Sequence, residues 1–263
     1  MRSFAVVGLS AMVAGCTLLV STSDLSGGTP ASGAPDSSDS THRDSGAVPA
    51  PEGGSTAEAG RGELPGLVGK WLFDDGTPND SSGNGRQGQV EGDATIEMTD
   101  RGSAVRVQTK GHFTVDVLDA AAFQKSGTIS VWFRYLSMAR DIEQSIFDSW
   151  VDTREHIFVR HANGAAVGHM QIGFQKGANE YELATGFDVD VGRWAHVIVT
   201  WDAANTYGRA YVDGQSVLAD NYPSGAFVPK GQLMDFGGNL DGYIDDVRLY
   251  DRPLTEVEIS SLP

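Results

Sequence analysis

Apolar and polar residues alternate along most of this chain in short runs. From Thr128 to Leu136, Ile129, Val131, Phe133 and Tyr135 fall on one face, and Ser130, Trp132, Arg134 and Leu136 on the other. That period of two is what a half-buried strand requires. The same reasoning predicts strands over Val68–Asp74, Gln89–Met98, Ala104–Gln108, Gln144–Trp150, His156–Arg160, His169–Phe174 and Tyr181–Thr185. Further strands are expected over Trp194–Trp201, Tyr207–Val212, Ser216–Leu218 and Leu233–Phe236, with Asp213-Gly214 a strong hairpin signal. One short helical turn fits Ala120–Lys125, and no sustained helical period appears. Glycine, asparagine and aspartate punctuate the runs. The pattern predicts an all-β fold, a sandwich of two antiparallel sheets.

The C-terminal stretch closes the pattern. Simple alternation through Ile244–Tyr250 puts Asp245 with Val247 and Leu249, and Ile244 with Asp246, Arg248 and Tyr250. A carboxylate on an apolar face is costly without a hydrogen-bond or cation partner. Asp245 therefore asks for a partner elsewhere. Pro253 ends the strand. Thr255 and Glu258 have the spacing of a capping box, with Leu254 and Val257 placed to pin the turn to the body.

Composition adds domain limits and excludes some partners. The chain has 263 residues and a net charge of −16. Such a surface repels nucleic-acid phosphates and anionic headgroups, which argues against nucleic-acid binding and favours hard cations. Ser21 to about Leu64 is rich in Ser, Gly, Ala, Pro, Thr and Asp and reads as a disordered tether. Cys16 is the single cysteine, so no disulfide forms within the chain. Arg2, an apolar run from Phe4 to Gly15, and Val13-Ala14-Gly15-Cys16 together match a bacterial lipobox. An ordinary secretory signal or a weak anchor is the alternative. The predicted organisation is residues 1–16 as lipoprotein signal with lipidation at Cys16, 17–64 as tether and 65–263 as domain. Thr17 after the cysteine resembles the sorting signal for the outer membrane.

Several motifs follow one another along the chain. They are Trp71-Leu72-Phe73-Asp74, Asp80-Ser81-Ser82-Gly83-Asn84-Gly85, Thr128 to Arg134, Arg193-Trp194-Ala195-His196-Val197, Ala210-Tyr211-Val212-Asp213-Gly214 and Gly242 to Tyr250. On these residues the chain, from about 65 to 263, resembles bacterial laminin-G-like domains of the concanavalin A-like lectin/glucanase superfamily. The resemblance implies a jelly roll of two curved sheets. It also implies a structural calcium where the first loop meets the last strand, held here by Asp80, Asn84 and Asp245. An Asx-type turn needing no metal is the alternative. No zinc-like His/Cys cluster occurs.

Catalysis is not expected. Glucanase relatives carry Glu-x-Asp-x-x-Glu on one strand, and no such run occurs here. Asp141 and Glu143 have part of that spacing but fall in a polar turn without a third member. Sugar recognition needs an aromatic face with amide, guanidinium or carboxylate groups beside it. Strand phase turns His156, Phe158, Arg160, His169 and Gln171 outward. Trp150 and Tyr181 lie at neighbouring strand ends. The expected ligand set is therefore Trp150, His156, Arg160, His169, Gln171 and Tyr181. Trp71, Trp132, Trp194 and Trp201 are expected in the core. The expected role is a non-catalytic, lipid-anchored lectin-like module at the cell envelope, binding carbohydrate or a cell-surface protein; the oligomeric state is left open.

Overall fold

The alternation at Thr128–Leu136 is realised in β6 (Ser126–Ser137), the longest strand of the fold. The structure, a computed structural model, describes residues 62–116, 125–149, 155–162, 164–165, 167–176, 179–202, 204–205, 207–221 and 233–263. The side chains of 155–156, 174–176, 179–186 and 218–221 also lie outside the description. The described residues belong to one compact unit, Ala57–Pro263. Cys16, Trp150 and most of the expected turn at Ala120–Lys125 lie outside them.

Two antiparallel sheets face each other across the core. β6 and β15 (Asp241–Tyr250) form the centre of an eight-stranded sheet. On the β6 side follow β11 (Ala195–Asp202), β12 (Tyr207–Val212) and β13 (Gln215–Asn221). On the β15 side are β4 (Gly102–Val107), β3 (Thr95–Thr99) and β1 (Leu67–Trp71). The seven-stranded sheet runs β10 (Asn179–Asp188), β9 (His169–Lys176), β8 (Glu155–His161), β7 (Gln144–Asp148), β14 (Leu233–Phe236), β5 (His112–Asp116), β2 (Gly88–Glu91). The crossovers in this order show a sandwich, not a meander. Trp71, Phe113, Phe133, Phe147, Trp201 and Phe236 fill the space between the sheets. Glu63 pairs with Lys70 and Leu64 packs beneath the C-terminal segment, so contacts of the sandwich reach back before Pro65.

Three sequence expectations change. Gln89–Met98 is two strands in different sheets, because the chain turns at Gly92. That residue has φ +63°, and a Cβ there would meet the Lys110 carbonyl at 2.0 Å. The strand His112–Asp116 was not expected at all. Trp71 and Trp201 are core residues, but Trp132 and Trp194 are half-buried on the outer face of the eight-stranded sheet.

Candidate functional site

Asp245 is not on the core face. Across β15 and β6, Ile244 is opposite Phe133 and Asp245 opposite Trp132, but Arg248 is already opposite Ser130. Asp246 and Val247 thus face a single partner position, which is a β-bulge. Asp246 takes φ +43° to make it. The extra residue resets the phase, so Ile244, Val247 and Leu249 all reach the core while Asp245 points outward beside Trp132. At the same place β15 changes neighbour, from β4 at Ile244 to β1 at Val247.

The partner of Asp245 is Arg101, whose Nε lies 3.4 Å from Oδ2, and the Asp246 N–H donates to Oδ1 at 2.7 Å. Burial, and then the charge of Asp246, push this carboxyl up to about 7, against the two hydrogen bonds.

The expected calcium ligands do not come together. Asp80 Oδ1 accepts from the N–H of Ser82 (2.8 Å) and of Lys70 (3.1 Å), and Oδ2 from that of Arg86 (3.0 Å). Burial raises this carboxyl, but a side-chain bond from Ser82 and then these backbone bonds outweigh it and hold it below the usual range. Asn84 donates through Nδ2 to the Leu67 and Val68 carbonyls. Lys70 turns its N–H to Asp80 and its carbonyl to Ser81, while its ladder partner is Arg248 of β15. Strand β1 therefore stands between this loop and β15. The geometry is that of an Asx-type turn clamped to β1, and as a ligand set Asp80, Asn84 and Asp245 do not fit one ion. No group of three His, Cys, Asp or Glu placed to hold a metal occurs among the described residues.

The expected sugar contacts are partly assembled on the outer face of the seven-stranded sheet. Arg160 and Gln171 are opposite each other in the β8–β9 ladder. The Arg160 guanidinium stacks 4.0 Å above Phe158 and pairs with Glu143 at 2.9 Å. His169 faces Asp188 at 3.2 Å, at the start of β9. His156 is opposite Gln175 and Tyr181 opposite Phe174, and the side chains of both lie outside the described residues, as does all of Trp150. Phe158, the outward aromatic, is buried, with Gly173 beside it because a Cβ there would strike its ring. The ladder sets one row across this face: Thr114, Asp235, Asp148, Phe158, Gly173. Asp235 is directly opposite Asp148. Burial raises its carboxyl most, Asp148 and Glu91 add to this, and His112 opposes it.

Among the described residues, two cavities lie elsewhere. One, about 380 Å³, lies between Trp132, Trp194, His196 and the segment Ile259–Pro263. Its aromatics are engaged. Trp132 is stacked on His196 (4.6 Å) and covered on the ring by Arg101 (3.8 Å), and its Nε1 donates to the Pro263 carbonyl. Trp194 donates to Asp100, which also pairs with Arg134, and Arg134 lies 4.8 Å from the Trp194 ring. The cavity wall is a finished stack.

The other cavity, about 410 Å³, opens at one end of the sandwich. Three loops meet there, β4–β5 with Gln108 and Thr109, β6–β7 with Ala139 and Ile142, and β14–β15 with Asn239. Buried Gln144 braces two of them, accepting from the Ala139 N–H (3.0 Å) and donating to the Asn239 carbonyl (3.2 Å). Asn239 has φ +55°, a conformation its short amide tolerates. Asp241 accepts from Arg106 (2.6 Å) and from the Ser137 hydroxyl. Sequence reading left all these residues out. Their signal was loop glycine and asparagine, and nothing local says that three loops distant in sequence share one end.

Two antiparallel sheets in this order, with polar loops gathered at one end, define a jelly-roll β-sandwich. The chain belongs to the concanavalin A-like lectin/glucanases superfamily, whose laminin-G family model matches residues 108–260. Among solved structures, domain 4 of AbnA, an extracellular GH43 arabinanase from Geobacillus stearothermophilus in complex with arabinotriose, is similar with a TM-score of 0.62 and 18% identity. The match covers 74% of this chain and 97% of that one. The binding domain of botulinum neurotoxin DC in complex with SialylT is similar with a TM-score of 0.62 and 15% identity, over 75% of this chain and 50% of that one. The same toxin's binding domain with rat synaptotagmin II gives 0.60 and 14%, over 74% and 50%. This chain thus spans half the length of the toxin domains. At these identities the likeness is one of fold. No curated protein matches the chain.

Proposed function

We propose that the protein is a non-catalytic carbohydrate-binding module, held at the cell envelope by a lipid on Cys16. The observation that carries the binding reading is the loop-end cavity. Asp241, Asn239, Gln108 and Thr109 offer hydroxyl-binding groups there, beside the apolar Ala139 and exposed Ile142. A few convergent polar groups over an apolar wall, in a cavity of this size, suit a sugar residue. The arabinotriose complex of one neighbour and the SialylT complex of another are consistent with this reading. Lipidation rests on the sequence, on Arg2, the apolar run from Phe4 to Gly15 and Val13-Ala14-Gly15-Cys16. Binding of the purified chain to an oligosaccharide array tests the function. Asn239→Ala should weaken the signal at least tenfold, and Arg160→Ala with Gln171→Ala should leave it. The reverse result would move the site to the seven-stranded sheet.

A second reading is favoured by one observation, the Asp148/Asp235 pair. Two facing carboxylates with one raised above its ordinary range are the parts of a glycoside hydrolase. Incubation with polysaccharides and an assay for new reducing ends tests it. Release that disappears in Asp235→Asn would replace the binding reading.

A further inference from the structure

We propose that the loop-end cavity selects uncharged sugars and rejects uronates and other carboxylated glycans; this rests on the carbohydrate-binding reading above. The inference comes from how the cavity's two charges are used. Arg106 is the cavity's cation, and an arginine facing a sugar site ordinarily suggests a carboxylated ligand. Here three of its five N–H donors are taken up by the protein, both on Nη1 and one on Nη2. Nη1 donates to the Gly242 carbonyl at 3.1 Å and also to the Val107 carbonyl, and Nη2 donates to Asp241 Oδ1 at 2.6 Å. Its side chain is only 15% exposed, against 39% for Asp241. The charge that an entering ligand meets is therefore negative. Asp241 Oδ1 is held by Arg106 and Oδ2 by the Ser137 hydroxyl. Each carboxylate oxygen can accept a second bond, so the group is poised to take hydroxyl donors. A ligand carboxylate placed there would face a like charge at short range, inside a molecule of net charge −16.

The remaining polar groups fit the same chemistry. Asn239, Gln108 and Thr109 are exposed neutral groups that both donate and accept. They satisfy hydroxyls of either orientation without adding charge. The cavity wall holds no aromatic ring, so apolar contact comes from Ala139 and Ile142. That suits one or two sugar units held end-on better than a long chain lying across a platform.

The test is an array that pairs each neutral oligosaccharide with its carboxylated counterpart, galactose with galacturonate and glucose with glucuronate, with arabinotriose included. Hits are titrated calorimetrically with the full chain. Neutral members should bind at least tenfold tighter than their acidic partners, with an affinity flat between low and high salt. Asp241→Asn should weaken neutral binding and shrink the neutral-to-acid ratio. Asn239→Ala, which leaves both charges in place, should weaken binding and keep the ratio. Equal or tighter binding of the acidic partners overturns the selectivity while leaving the carbohydrate reading standing. Binding to neither class by any pair removes the carbohydrate reading, and the selectivity with it.

Discussion

At the scale of single residues, the loop end depends on Gln144. It is 2% exposed, and its amide satisfies one N–H and one carbonyl of two loops, beside the backbone bond from the Ser145 N–H to the Gly238 carbonyl. A buried group left without its partner costs about 1–3 kcal/mol. Gln144→Ala should lower stability by about that amount in a urea titration and weaken sugar binding as the loops part. Unchanged stability would mean that the brace is incidental. Two other residues set a pH dependence in opposite senses. Asp245 is raised from 3.8 to about 7, so the native state keeps a proton that the unfolded chain loses. Its contribution is full below pH 4 and disappears as pH climbs to 7. His196 is lowered from 6.5 to about 4 by burial first, then by Arg101 and Arg248, against Asp213. Its contribution is full above pH 6.5 and is lost as pH falls to 4. The two oppose each other between pH 4 and 6.5. Asp245→Asn should expose the histidine slope, with a melting temperature that falls more steeply on acidification than in the parent chain. Identical profiles for the two proteins would show that Asp245 does not titrate as described.

At the scale of elements, the bulge in β15 is the decisive departure from simple alternation. It lets one strand pair with β4 over its first half and with β1 over its second, while both halves keep an apolar face on the core. The cost is an aspartate at φ +43°, steadied by two contacts from Arg248, at 2.6 and 3.1 Å. Both residues are buried. Removing one member of such a pair costs about 3–5 kcal/mol, because the other is left charged and buried. Asp246→Ala should show a loss of that size by chemical denaturation, and Asp246→Gly slightly less, since glycine accepts the backbone. A loss below about 1 kcal/mol would mean that the pair is not what holds the bulge. The strand phase of 128–136 was legible in the sequence and even placed Trp132 and Arg134 away from the core. What misled was the habit of assigning tryptophan to the interior. Trp132 covers itself differently, between His196 and Arg101.

At the scale of the whole molecule, the ends of the fold are tied by packing and hydrogen bonds. Leu254 and Ile259 lie on Ile198, Tyr211 and Tyr250, with Leu64, Leu67 and Leu262 against them. The capping box is formed, Thr255 Oγ1 accepting from the Glu258 N–H and Glu258 from the Thr255 N–H. Because β1 separates the Asp80 loop from Asp245, EDTA should leave the melting temperature unchanged. A drop reversed by calcium would place an ion on the loop's own oxygens. For the anchor, globomycin should block processing of the chain, and processing that continues unaffected would count against lipidation at Cys16.

The sequence by itself determined the class of fold, because alternation, turn residues and a cap act over neighbours a few positions apart. It also located the outward positions Arg160, His169 and Gln171 by strand phase. Only the tertiary structure decided which loops share an end, that β2 and β3 belong to different sheets, and where Asp245 points. Each of those depends on residues far apart in the chain, or on one inserted residue whose effect is to shift every later side chain to the opposite face.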